Sequence, residues 1–407
     1  MSWKLVARDV LWTTLGVGLG LAAGAGAAGV VTFEPEVDLS ESATASTLNE
    51  ISPQAVTVDG TGRVAVVWSE FPAEGGAPEL MARVRQPYGS WTRSSQLTPS
   101  DGKYSGDAAL AAAGGPVLVT WVDQGSGGFE VRTAVLHLDR LVLTASESLC
   151  EPTLLVMEPA IAAGPKGEVA VAWTTMVDMN YELRLRRRAA GESSFGPVEA
   201  VTPQDRRASD QIALAYGADS RLHLVWADNR SGTRRVLHGS LTVDSYTPPT
   251  EVSPVEGAGR QTRPCVTSTP DGRVYVAWMD SRSGEDAVLV AAASGKVFGA
   301  PLRAGKTGSA ARSPCLVGAA SGVHLLWEDS RHAAGDSASA QIYYARVIPG
   351  GLAEETPVTT DLPVSCFNPC LAAGANGALH LVWRNAGFGE GDIFYRGGRA
   401  SGPWSPQ

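Results

Sequence analysis

Seven tryptophans recur at nearly even spacing along the chain: Trp68, Trp121, Trp173, Trp226, Trp278, Trp327 and Trp383. The gaps between them are 53, 52, 53, 52, 49 and 56 residues. Each Trp closes a short apolar run that follows a Gly-containing turn. A strand-built period of this length restricts the chain to a propeller or an array of equal units. By length alone, 407 residues would allow two or three ordinary domains. The even ladder argues instead for one closed assembly.

The run before each Trp alternates. Its members are Val64/Val66/Trp68, Val117/Val119/Trp121, Val169/Val171/Trp173, Leu222/Leu224/Trp226, Val274/Val276/Trp278, Val323/Leu325/Trp327 and Leu379/Leu381/Trp383. Period-two spacing puts each set on one face of a strand. The other face is also apolar or aromatic, with Ala65, Leu118, Ala170, His223, Tyr275, His324 and His380 at one equivalent position. A strand covered on both faces fits a blade wedged between two neighbours, because a solvated face would be polar. The three histidines are expected to be interblade packing residues with a satisfied ring nitrogen.

Further strand-like runs bring each unit to four, joined by turns such as Pro270-Asp271-Gly272 and Ala375-Asn376-Gly377. The sequence therefore predicts an all-β fold: a seven-bladed β-propeller of four-stranded antiparallel blades. The domain covers 29–407, with blades near 53–105, 106–157, 158–209, 210–262, 263–312, 313–367 and 368–407. The last unit keeps only a stub of its fourth strand at 402–407. Thr32-Phe33-Glu34-Pro35 resembles the fourth-strand segment Ser194-Phe195-Gly196-Pro197. Residues 30–39 are therefore expected to complete the seventh blade and close the ring.

The N-terminus has the form of a targeting segment. Lys4 and Arg8 precede an apolar stretch over 10–33, with A-x-A-type cleavage sites at Ala23-Gly24-Ala25 and Ala25-Gly26-Ala27. Residues 1–28 are expected to act as a cleaved signal peptide or, if uncut, as a membrane anchor through 10–33. Either outcome places the propeller outside the cytoplasm. The net charge of −9 argues against a nucleic-acid partner. A monomer is expected.

Five cysteines are present. Cys265, Cys315 and Cys370 each follow a Pro at a position where other units carry Ala, which reads as a small buried side chain. A bridge from Cys366 to Cys370 or to Cys150 stays open. No metal site and no cofactor are expected.

A second motif follows three of the tryptophans: Trp226-Ala227-Asp228-Asn229-Arg230, Trp278-Met279-Asp280-Ser281-Arg282 and Trp327-Glu328-Asp329-Ser330-Arg331. Recurrence in several units favours a structural role, with Asp capping its own turn and Arg pairing with it. This W-x-D-x-R pattern, ahead of a third strand such as Gln341-Ile342-Tyr343-Tyr344-Ala345-Arg346, resembles bacterial sialidase-like (BNR-like) propellers over nearly all of the mature chain. The resemblance implies the propeller fold. The Asp boxes of true sialidases, S-x-D-x-G-x-x-W, do not occur, and Thr262-Arg263-Pro264 does not match their F-R-I-P segment. Their Tyr/Glu nucleophile pair and Asp acid fall on no residue of this chain.

The residues that break the repeat lie where each first strand begins: Ser52, Gly106, Glu158, Asp210, Arg263, Ser313 (with Arg312) and Asn368. Loops on a rigid scaffold are where binding residues gather. Glu158, Asp210, Arg263, Arg312 and Asn368 are therefore the candidate ligand-binding residues, at the channel mouth. The expected function is non-catalytic binding of a glycan, peptide or protein through that face. The alternative is a glycoside hydrolase or lyase with a divergent site there. Such an enzyme needs two carboxyl groups roughly 5–10 Å apart, for which Glu158 and Asp210 are the weak candidates. A third reading is a structural envelope component held by its N-terminus.

Overall fold

The computed structural model describes residues 31–400, apart from 113–114, 243–244, 254–256, 258, 296, 333–338, 354, 360–363 and 387–390. The expected export or anchor segment up to residue 30, and the tail at 401–407, lie outside the described residues. Among the described residues there is no helix, hence none long and apolar enough to cross a membrane.

Seven antiparallel sheets form the blades. The fourth is typical: Ser209–Tyr216 is innermost, followed outwards by Leu222–Asp228, Arg235–Leu241 and Tyr246–Glu251. In several blades the outermost strand is split in two, as in Val297–Phe298 and Leu302–Ala304 of the fifth. The N-terminal segment closes the ring as the sequence predicts. Val31–Phe33 pairs with Asp392–Ala400, with Val31 opposite Ala400 and Phe33 opposite Gly398, and Val37 lies opposite Tyr395. The first and last parts of the chain therefore share one sheet.

The apolar core is divided into seven clusters, and each lies between two blades. Every ladder Trp packs against the preceding blade. Trp226 meets Leu183 and Leu185 of the third blade. Trp278 meets Val225 and Val236 of the fourth. Trp68 meets Val382, Ile393 and Tyr395 of the seventh, where the ring closes. All seven indoles are at most 2% exposed. No blade holds a core of its own, which explains why both faces of each second strand are apolar.

The W-x-D-x-R motif fixes the hairpin beyond each Trp. The Trp226 indole N–H donates to Asp228 Oδ2 at 3.1 Å, and Arg230 donates to the same carboxylate through its backbone N–H and Nε, both at 2.8 Å. Asp280 with Arg282 and Asp329 with Arg331 repeat the arrangement. Burial opposes ionisation of these three carboxyls. The Arg and Trp hydrogen bonds together outweigh it and hold all three below the usual carboxylate range. The motif is thus a self-contained turn cap.

The strand histidines are likewise satisfied. His324 Nδ1 pairs with the Tyr344 hydroxyl at 2.7 Å, His380 Nδ1 with Tyr395 at 2.8 Å, and His223 Nδ1 with His238 Nε2 at 3.1 Å. Burial lowers these imidazoles to about 4, so they are neutral packing residues at pH 7. All five cysteines are free thiols.

Two outcomes follow from this division of the core. Trp278→Ala should cost roughly 3–5 kcal/mol in denaturant unfolding, because it opens a cavity between two blades that neither can refill. Deleting residues 31–39 should lower Tm sharply by exposing the edge of Asp392–Ala400; an unchanged melting curve would refute the closure.

Candidate functional site

The start of each innermost strand carries a β-bulge in six of the blades. Register shifts fall between Gly106 and Ala109, Met157 and Ala160, Asp210 and Ala213, Thr262 and Cys265, Arg312 and Cys315, and Phe367 and Cys370. Two residues there oppose the ladder Trp. The first of each pair has positive φ: Asp107 (54°), Glu158 (57°), Gln211 (57°), Arg263 (50°), Ser313 (47°) and Asn368 (54°). In four blades a Pro follows, and a bulge is where a strand tolerates a residue without an N–H. Six non-glycine residues in a conformation that L side chains rarely adopt mark a feature the fold enforces.

The bulge leaves backbone N–H groups outside the ladder, and side chains from the preceding blade meet them. Gln211 N–H donates to Glu158 Oε2, Arg263 N–H to Gln211 Oε1, and Asn368 N–H to Glu328 Oε1, each at 2.8 Å. Thr174 Oγ1 also donates to Glu158 Oε2, at 2.9 Å. The ring is thereby laced blade to blade.

The first blade departs from this plan. Its innermost strand is split into Ser46–Thr47 and Val56–Val58, and the segment Asn49–Gln54 between them crosses the channel as a strap. Asn49 Nδ2 donates to Asp107 C=O at 3.0 Å in the second blade. Gln54 C=O accepts from Leu110 N–H at 2.8 Å, and its side-chain amide pairs with both backbone groups of Ile161 in the third, at 2.6 and 3.0 Å. On the far side, Arg263 of the fifth blade donates to Glu50 C=O at 3.1 Å, and the Cys315 thiol of the sixth lies 3.7 Å from Pro53 C=O. The channel mouth is therefore closed by the chain itself.

The sequence-predicted residues are each bonded to other residues of the fold and not to one another. Asp210 is buried and ion-paired with Arg234. Arg312 is exposed and donates to Asp286 Oδ2 at 2.7 Å. Arg263 also donates to Ser313 Oγ at 2.9 Å. Asn368 is buried beside Glu328. Glu158 faces solvent in part, and burial pushes its carboxyl above the ordinary range, with Asp107 adding to the push.

Sequence reasoning missed Asp107, Gln211, Glu328 and Tyr104. In the second and fourth blades it selected Gly106 and Asp210, each one residue early. Those blades have no Pro after the bulge to fix the alignment. Asp107 accepts from the Tyr104 hydroxyl at 3.2 Å, and burial and the Glu50 charge raise its carboxyl. Burial likewise raises Glu328. Asp107 and Glu158, on adjacent blades, are thus the carboxyl pair of this face, whereas Asp210 is neutralised by its arginine. Among the described residues no group of three or more His, Cys, Asp or Glu is placed to hold a metal ion.

The face is also uneven. In the second and third blades, which lack the W-x-D-x-R motif, the hairpins run on. Val117–Gly125 with Gly128–His137, and Val169–Val177 with Asn180–Arg188, exceed Leu222–Asp228 and Arg235–Leu241. The third-blade turn has positive φ at Asp178 (48°) and Met179 (63°), as a tight hairpin turn requires. It presents Met179 at 89% exposure, and Leu154, in the linker into the same blade, is 92% exposed.

No family model matches the sequence, and no curated protein matches it. Solved structures do. A protein of unknown function from Dyadobacter fermentans matches at 13% identity with a TM-score of 0.55, over 91% of this chain and 99% of that one. The polysaccharide lyase Uly1 matches at 9% identity with a TM-score of 0.54, over 90% and 99%. The endosialidase of phage phi92 matches at 9% identity with a TM-score of 0.53, over 93% of this chain and 70% of that one. At such identities the likeness is one of fold, and the fold of this chain is a sialidase-like β-propeller.

Proposed function

We propose that the protein is an exported, non-catalytic propeller that binds a glycan, peptide or protein partner through its strapped face. The carrying observation is the pairing of Leu154 and Met179, exposed on the third blade, with a mouth whose charged groups are already bonded within the fold. Scattered apolar residues on a surface are ordinary, but two on one blade, one held out by a strained turn, fit a contact surface. They favour a polypeptide among the three partner classes. The laced carboxyls and the strap argue against an open catalytic pocket. Export rests on Lys4, Arg8 and the apolar stretch that follows. The acidic chain disfavours nucleic acid, and a monomer suffices for the site.

The second reading, a glycoside hydrolase or lyase, rests on Tyr104, Asp107 and Glu158: a phenol hydrogen-bonded to one raised carboxyl, with a second carboxyl on the next blade.

Two experiments separate these roles. The Glu158 carboxyl is raised in the fold, so its stabilising contribution is present below its unfolded value of about 4.3 and lost as pH rises through the folded one. Gln keeps an acceptor for Thr174 and Gln211 without the charge. Glu158→Gln should therefore raise Tm near pH 7 and match the parent near about pH 4; a lower Tm near pH 7 would show that the fold uses the charge. Secondly, peptides selected from a random displayed library on the parent protein should lose binding to the double variant Leu154→Asp, Met179→Asp at unchanged Tm. Peptides that bind the variant equally well would overturn the docking face. Turnover of chromogenic glycosides or a polyuronate that vanishes in both Glu158→Gln and Asp107→Asn would establish the enzyme instead.

A further inference from the structure

Behind the strap the channel forms a blind well. Its lining begins at Ser52, Pro53 and Gln54 and runs along the innermost strands to far ends such as Val58, Ala163, Ser268 and Ala373. The cavity measures about 430 Å³, within the range of small-molecule sites. None of its lining residues is Asp, Glu, Lys, Arg or His. Asp107, Glu158, Asp210, Arg263, Arg312 and Glu328 are all absent from its lining. A charged ligand entering the well would lose its hydration and find no counterion, which costs several kcal/mol.

Each innermost strand is the last of its sheet, so its inward edge has no ladder partner. Such an edge offers N–H and C=O groups to whatever lies beside it, and side chains of neighbouring blades already take some of them: Thr267 Oγ1 accepts from Gly318 N–H and the Ser268 hydroxyl donates to Tyr216 C=O, each at 2.7 Å. Gln54 shows what it accepts: a carboxamide, held by both the N–H and the C=O of Ile161, with Leu110 N–H on the Gln54 backbone carbonyl. Ser52, 2% exposed at the blind end, has a hydroxyl with no partner.

We infer that this well is a binding site for a small uncharged molecule bearing amide groups, entering from the face opposite the strap and pairing with the strand-edge groups that neighbouring side chains leave open, as Gln54 pairs with Ile161. The site is separate from the docking face and does not depend on it.

The test uses three small alanine derivatives: N-acetylalanine N-methylamide, which is neutral; N-acetylalanine, an anion; and alanine N-methylamide, a cation. Binding to the mature protein is followed by ligand-observed NMR at neutral pH. The neutral probe should bind saturably at one site, and both charged probes more weakly by about tenfold or more. Ala163→Phe and Ala373→Phe, made separately at the half-buried open end, should each abolish binding at unchanged Tm. Absence of saturable binding by the neutral probe overturns the inference. So does equal binding of a charged probe, or binding that survives in whichever filled variant folds.

Discussion

The structure depends on one contact repeated around a ring: an indole at the end of a second strand pressed into the preceding blade. Because each apolar cluster is shared between neighbours, removing a blade would strip apolar cover from the two beside it. A linear stack of such units would leave two apolar faces bare. Closure covers them, and the chain achieves it with Val31–Phe33 and Val37–Asp38 on the edge of Asp392–Ala400. Leu39, fully buried, joins the cluster around Trp68 and so ties the closing segment to the first blade as well as the last. A hydrogen-bonded edge and a packed side chain thus act at the same joint.

The same geometry creates the bulges. An innermost strand must hydrogen-bond to its own second strand yet make room for a large ring on that strand. Two residues opposite the Trp, the first at positive φ, are the local solution in six blades. The cost is an unpaired backbone N–H in the interior, and a buried N–H without a partner is expensive. Glu158, Gln211 and Glu328 meet three of these groups from the neighbouring blade. Residues that depart from the repeat in identity can therefore still serve it in function. Variation at the bulge is not by itself evidence of a ligand site.

Much of this was legible in the letters. The Trp spacing carries the blade number, and the two apolar faces of Val274–Asp280 carry the wedge between blades. The likeness of Thr32-Phe33-Glu34-Pro35 to Ser194-Phe195-Gly196-Pro197 carries the closure. The recurrence of Asp and Arg after Trp226, Trp278 and Trp327 is enough to make the pair a turn cap. What stayed hidden is what depends on contacts across the ring. Gln54 reaches Ile161, and Glu50 reaches Arg263, over separations of 107 and 213 residues with no local pattern to announce them. Pro53 looks like the start of another first strand, because Pro marks the bulge in four blades; here it belongs to the strap. Asp107 and Gln211 were displaced by one residue for the converse reason, the lack of that Pro.

The strap divides the molecule chemically as well as sterically. On its outer side lie Glu50, Asp107, Glu158, Arg263 and Glu328, in low-polarity surroundings that already raise three of the carboxyls. On its inner side the walls carry uncharged groups: aliphatic side chains, hydroxyls, the Cys265 and Cys315 thiols, the Gln54 amide and backbone edges. A continuous open channel would have exposed one ligand to both environments and fitted neither. Because Gln54 fills the junction and satisfies the strand edge it covers, each side keeps its own character. The outer face holds carboxyls that accept from hydroxyls and backbone N–H groups. The well behind it has no charged residue in its lining. Two chemically distinct environments on one scaffold of repeated blades then require a single asymmetric element, the six residues from Asn49 to Gln54.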